Sequence, residues 1–335
     1  MCVHPEFAFF RDVLRALLAL FAVLAIGLAG APFEAGAASP QAPQPNRTFG
    51  VYVDPWNVDD WARQVGASPQ LVAEFEAFSR NRVLDHHLRE AERQGIRSLM
   101  FTWEPWKPVP TSLGAYQAYL PQPGYRNGDI ARGAQDEYIT RFARSLAGFQ
   151  GTVYLRYAHE MNGFWYPWAH GPRQYVQAWR HVVSIFRQAG AANVRFVWSP
   201  NPNPFQRRAE WARKLRRYWP GSRYVDAVGS TMINFGGRRD YRVARWAPRL
   251  RDLHRRYREP VMLTETNTAY RGRVRWLKDL RRMLRRTPWI RAVVWSQLTS
   301  RGKAQMNDAG RVDWDVQHDP AAAAVLRQII RDGSS

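Results

Sequence analysis

The feature that most constrains this chain is a repeated alternation of short apolar runs with amphipathic stretches, sustained from residue 48 to 332. Strand-like runs rich in β-branched and aromatic residues occur at TFGVYVD (48–54), IRSLMFTW (96–103), GTVYLRY (151–157) and NVRFVWS (193–199). YVDAVGS (224–230), PVMLTE (260–265) and RAVVWSQ (291–297) continue the series, with a fainter run at FEAFS (75–79). Between them a helical period appears over 82–94, 135–148, 173–189, 205–217, 241–257, 273–286 and 320–332. Strands apolar on both faces and separated by helices predict a parallel sheet covered by helices. Eight such units in about 285 residues predict a single α/β domain, a closed (β/α)8 TIM barrel spanning 48–332. An open doubly wound sheet fits less well, because no Gly-rich phosphate loop follows the first run. No repeat of 20–50 residues is evident.

What precedes the barrel reads as a targeting segment. Arg11 and Arg15 lead into ALLALFAVLAIGLAG, and AGA at 35–37 supplies a small-x-small cleavage pattern. An apolar run of about fifteen residues is short for a membrane span, which takes about twenty. Residues 1–37 are therefore expected to be a signal peptide, with an uncleaved membrane anchor as the alternative, and 38–47 a Pro-rich linker. The expected location is secreted or periplasmic, with no membrane contact beyond that segment. Cys2, the single cysteine, leaves with the signal, so no disulfide chemistry is expected.

Charge narrows the partners less sharply. The chain carries 49 Lys and Arg against 28 Asp and Glu, a formal charge of +21, and only four of the basic residues are lysine. RKLRR, HRRYR and RRMLRR lie inside amphipathic patterns, where they read as solvated helix faces and not as a basic tail. No nucleic-acid motif accompanies them, so nucleic acid is not an expected partner.

In a parallel barrel the chemistry sits at the carboxyl ends of the strands. Those ends read Asp54-Pro-Trp56, Trp103-Glu104-Pro-Trp106, His159-Glu160-Met-Asn162, Trp198-Ser-Pro-Asn201, Ser230-Thr-Met-Ile-Asn234, Glu265-Thr-Asn267 and Trp295-Ser-Gln297. Glu160 and Glu265 end two strongly apolar strands. Two carboxylates among flat aromatics suit glycoside hydrolysis, in which one acid protonates the leaving oxygen and a second attacks or activates water. Aromatic faces stack on sugar rings. Glu104 is a third acid, read as binding or structural. Asp313 and Asp315 read as caps of the last helix or rim residues.

Two blander readings compete. Glu160 could be the partner of Arg156 in a buried ion pair, although a second glutamate at the end of the seventh strand weakens this. A metal site is disfavoured, because HEMNG places Gly163 where a helical HExxH zinc site needs its second histidine. No metal and no cofactor are expected.

The run VYLRYAHEMNGFWYPW, followed by YVQAWRHVVSIFRQAGAANVRFVWSPN, resembles glycoside hydrolase family 26, whose best-known members are β-mannanases. FTWEPW, YWPGSRYVDAVG and PVMLTET add to the likeness, which runs from about Phe49 to about Ile330. The resemblance implies a (β/α)8 barrel working by retaining double displacement without a cofactor. It implies that Glu160 is the acid/base and Glu265 the nucleophile, with His159 in the catalytic centre, Arg156 supporting it, and Trp165 on the sugar. Trp103, Trp198 and Trp295, together with Glu104 and Asn201, are the remaining candidates for substrate contact. The expected partner is a β-linked polysaccharide, met by a monomer.

One segment departs from the family. Where a pattern like VG-x-D-x-Y-N is usual, with the tyrosine donating to the nucleophile, this chain has VGSTMINFGG, with Thr231 at the acid and Ile233 at the tyrosine. Tyr224 or Tyr241 would have to compensate. The reading is thus an exported retaining endo-β-glycosidase, mannanase-like or glucanase-like. A catalytically weak polysaccharide-binding relative in cell-surface glycan export or biosynthesis is the alternative.

Overall fold

The computed structural model describes residues 47–334, apart from 54–57, 82–83, 109–121, 237–240, 269–271, 298–305, 308–309 and 312–313. Asp54, Trp56, Asp313, the signal segment and nearly all of the linker lie outside the described residues. Eight strands close into one parallel barrel in sequence order: β1 (Thr48–Val53), β2 (Leu71–Ala77), β3 (Ser98–Glu104), β4 (Thr152–Tyr157), β5 (Val194–Trp198), β6 (Ala227–Asn234), β7 (Val261–Thr268) and β8 (Ile290–Gln297). β8 pairs with β1 over six residues, Thr48 opposite Ala292 through Val53 opposite Gln297, which closes the ring.

The helices are α1 (Val58–Val65), α2 (Asp85–Arg93), α3 (Asn127–Ala131), α4 (Asp136–Ala147), α5 (Pro172–Gln188), α6 (Arg208–Tyr218), α7 (Ala247–Tyr257), α8 (Arg273–Arg285) and α9 (Pro320–Ser334). A two-stranded ladder, β9 (Met306–Asn307) with β10 (Gly310–Arg311), follows β8. Most elements fall within a few residues of their expected positions. β2 is the exception: it begins at Leu71, ahead of the expected 75–79, because LVAEFEA holds alanines and glutamates of weak strand preference. The short helices α1 and α3 have too few turns to show a period.

Alternation along each strand divides the side chains into two populations. Tyr52, Ala73, Met100, Val197, Ala227, Met262, Ala292 and Val294 form one cluster inside the barrel. Their neighbours, such as Val51, Val72, Phe101, Leu155, Phe196 and Val293, pack outward against the helices. Arg47, expected in the linker, belongs to the barrel. Its guanidinium is buried and donates to the carbonyls of Ile290 (2.7 Å) and Leu284 (2.9 Å), while its amide donates to Gly333 (2.7 Å). Among the described residues no helix is long and apolar enough to cross a membrane.

Candidate active site

β4 delivers the site's first half. Tyr154 and Arg156 point into the barrel, and the chain then turns through Ala158 (φ 44°) and Glu160 (φ 52°), both left-handed. Such a conformation costs a non-glycine residue about 1–3 kcal/mol and persists only where surroundings fix it. Here they do: the Ala158 amide donates to the Trp103 carbonyl (3.0 Å) and the Glu160 amide to the Ser199 carbonyl (2.7 Å). The carboxyl of Glu160 is thereby aimed across the mouth. It accepts from Asn201 Nδ2 at Oε1 (2.9 Å) and from Trp165 Nε1 at Oε2 (3.0 Å). Asn201 is itself pinned, since its amide donates to Asn162 Oδ1 (2.7 Å) and its carbonyl accepts from Asn162 Nδ2 (2.8 Å).

The second half depends on an irregularity. Continuing from Met262, which faces inward, strict alternation would turn Glu265 outward. A register shift against β6 pairs Ser230 with Leu263 but Thr231 with Glu265, so β7 carries one extra residue at this point. Bulges re-aim side chains beside active sites in this way. Both Thr264 and Glu265 consequently reach the interior, Thr264 Oγ1 lying 3.2 Å from Ser199 Oγ.

Arg156 joins the halves. Its fully buried guanidinium sits 2.6 Å from Glu265 Oε1 through Nη1. It donates also to Ser199 Oγ (2.9 Å), Thr102 Oγ1 (3.2 Å) and Thr231 Oγ1 (3.1 Å). Thr231 donates in turn to Glu265 Oε1 at 3.4 Å. The ion pair considered between Arg156 and Glu160 is therefore made with Glu265 instead, and among the described residues Glu160 has no ion pair. Burial, and next the negative charge of Glu265, push the Glu160 carboxyl above its ordinary range, against the opposing pull of Arg156, Thr231 and Asn201. Two carboxyls with environments this unlike can play different roles.

His159 lies behind Glu160. Burial, with the Arg156 charge, holds its imidazole well below the usual histidine range, so it is neutral. Nε2 is 3.1 Å from Tyr166 Oη, and the ring packs against Tyr166 and Trp168 (centroids 4.7 and 5.7 Å). Tyr166 was not anticipated. Burial, with the Glu104, Glu160 and Glu265 charges, holds its phenol well above its ordinary range, as a hydrogen-bonding group and never an anion. Glu104 is 9% exposed and accepts from Trp106 Nε1 (3.1 Å), whose ring meets Tyr166 edge-on at 5.9 Å.

Three expected sugar platforms are not at the mouth. Trp103, Trp198 and Trp295 are fully buried. Trp103 stacks on Phe142 of α4 (4.5 Å, 10°), Trp198 meets Trp219 and Tyr257 edge-on, and Trp295 packs in the core formed with α8 and α9. Each stands next to an inward residue (Thr102, Val197 and Val294 respectively), so alternation turns it toward the helices. Their indoles have no face left for a sugar. Trp165, by contrast, is partly exposed. It lines a cleft of about 360 Å³ with Asn201, Asn203, Phe205, Thr231, Ile233, Tyr241 and Trp246, among others.

Neither tyrosine suggested for the gap at Ile233 bonds to Glu265. Tyr224 is surrounded by Arg180, Arg187 and Arg223, and Tyr241 packs at a tilt against Phe205 in the cleft wall. Among the described residues the donors to Glu265 are Arg156 and Thr231. Asp315 accepts from Gln297 Nε2 (2.8 Å) at the end of β8. Among the described residues no group of three or more His, Cys, Asp or Glu side chains is arranged to hold a metal.

Residues 86–243 match the model of glycosyl hydrolase family 26. Endoglucanase H of Acetivibrio thermocellus is 29% identical over 253 residues, 71% of this chain and 25% of that protein. A β-1,3-xylanase of a Vibrio species is 34% identical over 111 residues, 31% of this chain and 22% of its own. The chain thus spans about a quarter of the length of these curated relatives. In fold it is similar to a family 26 β-mannanase of Bacteroides ovatus, with a TM-score of 0.61 at 19% identity, covering 88% of this chain and 91% of that one. Taken with the barrel and its facing glutamates, these matches make residues 86–243 similar to glycosyl hydrolase family 26.

Proposed function

We propose that this protein is an exported, retaining endo-β-glycoside hydrolase that cleaves a β-linked polysaccharide by double displacement. The observation that carries the reading is the unequal treatment of two facing carboxyls. Glu265 is ion-paired to Arg156, whereas Glu160 has no ion pair among the described residues and is raised by its burial and next by Glu265. Glu265 attacks the anomeric carbon as a carboxylate while Glu160 gives its proton to the departing glycosidic oxygen. Once Glu265 is an ester its charge is gone, so the repulsion that raised Glu160 falls away. Glu160 then takes a proton from the incoming water, and Glu265 leaves as a carboxylate stabilised again by Arg156. Trp165 Nε1 and Asn201 Nδ2 hold the Glu160 carboxyl in one orientation through both halves.

Substrate identity draws on the relatives, whose names cover an endoglucanase, a β-1,3-xylanase and a mannan endo-1,4-β-mannosidase. The β-linked backbone common to them is the class proposed here. Export rests on the basic-apolar-small segment at residues 1–37. The test is a panel of β-mannan, mixed-linkage β-glucan and β-1,3-xylan, with the first product followed by proton NMR. Cleavage with retained anomeric configuration is expected. An inverted product overturns double displacement, and intact polymers throughout overturn the hydrolase reading.

A further inference from the structure

Beside the catalytic pair the cleft wall carries a feature that the mechanism does not use. Only two large apolar side chains among the described residues are exposed, Phe164 (57%) and Phe205 (51%), and both border Trp165 or the cleft it lines. Phe205 sits on the loop after β5, which is built to hold still. Trp211 Nε1 donates to the Asn201 carbonyl (3.0 Å), Asn203 Oδ1 accepts from the Gln206 amide (3.2 Å), and buried Arg249 donates to the Gln206 carbonyl. The Phe205 ring meets Tyr241 at 4.5 Å and lies under the Arg245 guanidinium, whose Cζ is 4.6 Å from the ring centroid.

Arg245 is exposed, and among the described residues it has no ion pair and no side-chain hydrogen bond. Stacking on an aromatic face fixes the plane of a guanidinium while leaving its N–H fork free for an oxyanion. None of the described residues lining this part of the cleft is acidic; the polar ones are Asn201, Asn203, Thr231 and Tyr241. A neutral sugar offers such a fork only hydroxyl oxygens and leaves its charge unmatched. A sugar bearing a carboxylate or a sulfate ester fills it.

Resting on the hydrolase reading above, we propose that Arg245, held on Phe205, is a recognition subsite for an anionic sugar residue of the substrate. The natural polymer is then a β-linked glycan carrying acidic groups at intervals, and the cleft prefers it to the neutral backbone. Asn201 and Thr231 belong both to this wall and to the bonds around Glu160 and Glu265, so a sugar seated here lies within the same chain that is cut.

Binding is measured by calorimetry on the full chain carrying Glu265→Gln, which removes turnover and separates recognition from catalysis. The probes are one β-1,4-linked oligosaccharide in three forms: neutral, oxidised to the uronate at C6, and sulfated at C6. The parent should bind an anionic form about tenfold more tightly than the neutral one, or about 1.4 kcal/mol. That preference should shrink as salt rises. Adding Arg245→Gln should erase the preference while leaving the neutral affinity within about twofold, and Arg245→Lys should restore part of it. Whichever anion is preferred, carboxylate or sulfate, identifies the substituent. Equal binding of all three forms overturns the proposal, as does an equal loss for every form in Arg245→Gln. Hydrolysis of neutral polymers by the wild type would still stand in either case, so the two readings fail separately.

Discussion

Gly163→Ala isolates how Glu160 is tuned. A Cβ at position 163 would stand 2.6 Å from Cζ2, 2.7 Å from Cε2 and 2.8 Å from Cη2 of Trp165. Ordinary carbon contact begins near about 3.5 Å, so the indole has to retreat by about 0.9 Å. It can do so, being only partly buried. Its Nε1 lies 3.0 Å from Glu160 Oε2, and a retreat of that size carries the pair past hydrogen-bonding range. A bond to a charged acceptor is worth about 1.5–3 kcal/mol and one to a neutral acceptor about 0.5–1.5. The ionised form of Glu160 therefore loses about 1–1.5 kcal/mol more than the protonated form, equivalent to about one pKa unit upward.

The sign follows from the roles. Glu160 must be protonated to start the reaction, so the alkaline limb of kcat/KM should move to higher pH by up to about one unit. In the later step Glu160 is the base, and a carboxylate that has lost a hydrogen bond is more basic, so that step should not slow on this account. The assay is kcat and kcat/KM against pH, with Tm recorded to show that the barrel is intact. An alkaline limb that stays put or moves down, at unchanged Tm, refutes the argument that Trp165 stabilises the ionised acid.

Three further outcomes are expected. Glu265→Gln should cost about 10⁴-fold in kcat and, by removing the negative neighbour, should lower the Glu160 pKa, read by carbon-13 NMR titration of a labelled glutamate; an unchanged or higher value would break the proposed coupling. Asn201→Ala deletes the donor to Glu160 Oε1 and should reduce kcat/KM by about tenfold with little change in Tm, since one hydrogen bond to the acid is lost. Trp103→Ala, Trp198→Ala and Trp295→Ala should each destabilise folding by about 3–5 kcal/mol in urea titrations while leaving KM unaltered in the folded fraction, and Trp165→Ala should do the reverse.

Much of this was legible in the sequence, for identifiable reasons. Buried parallel strands are apolar throughout, so seven of the eight announced themselves, and LVAEFEA hid because half of it is alanine and glutamate. Glu160 and Glu265 stood out because a carboxylate ending an apolar strand is costly unless it is used or paired. The tryptophans misled. A strand end alone does not give the parity of the pleat, and the residue next to the inward one faces the helices. Trp103, Trp198 and Trp295 each occupy that neighbouring position, and a large apolar ring is as welcome in the helix layer as on a sugar. Ser199, Thr102 and Tyr166 gave no signal, since a hydroxyl becomes informative only when its partner is known.

Order and composition by themselves determined the barrel, because alternating apolar runs and amphipathic helices of these lengths have few other ways to bury their apolar faces. They also single out Glu160 and Glu265 as the candidate pair for the proposed chemistry. Only the tertiary structure decided that these carboxylates face each other unequally. The extra residue in β7 turns Glu265 inward against the alternation, and two left-handed residues after β4 swing Glu160 toward it. Arg156 is then claimed by Glu265 and not by Glu160. Local sequence cannot specify that outcome, because a bulge and a buried ion pair are settled by what the neighbouring strands present. Here those strands present Thr231, Ser199 and Thr102, from β6, the end of β5 and β3.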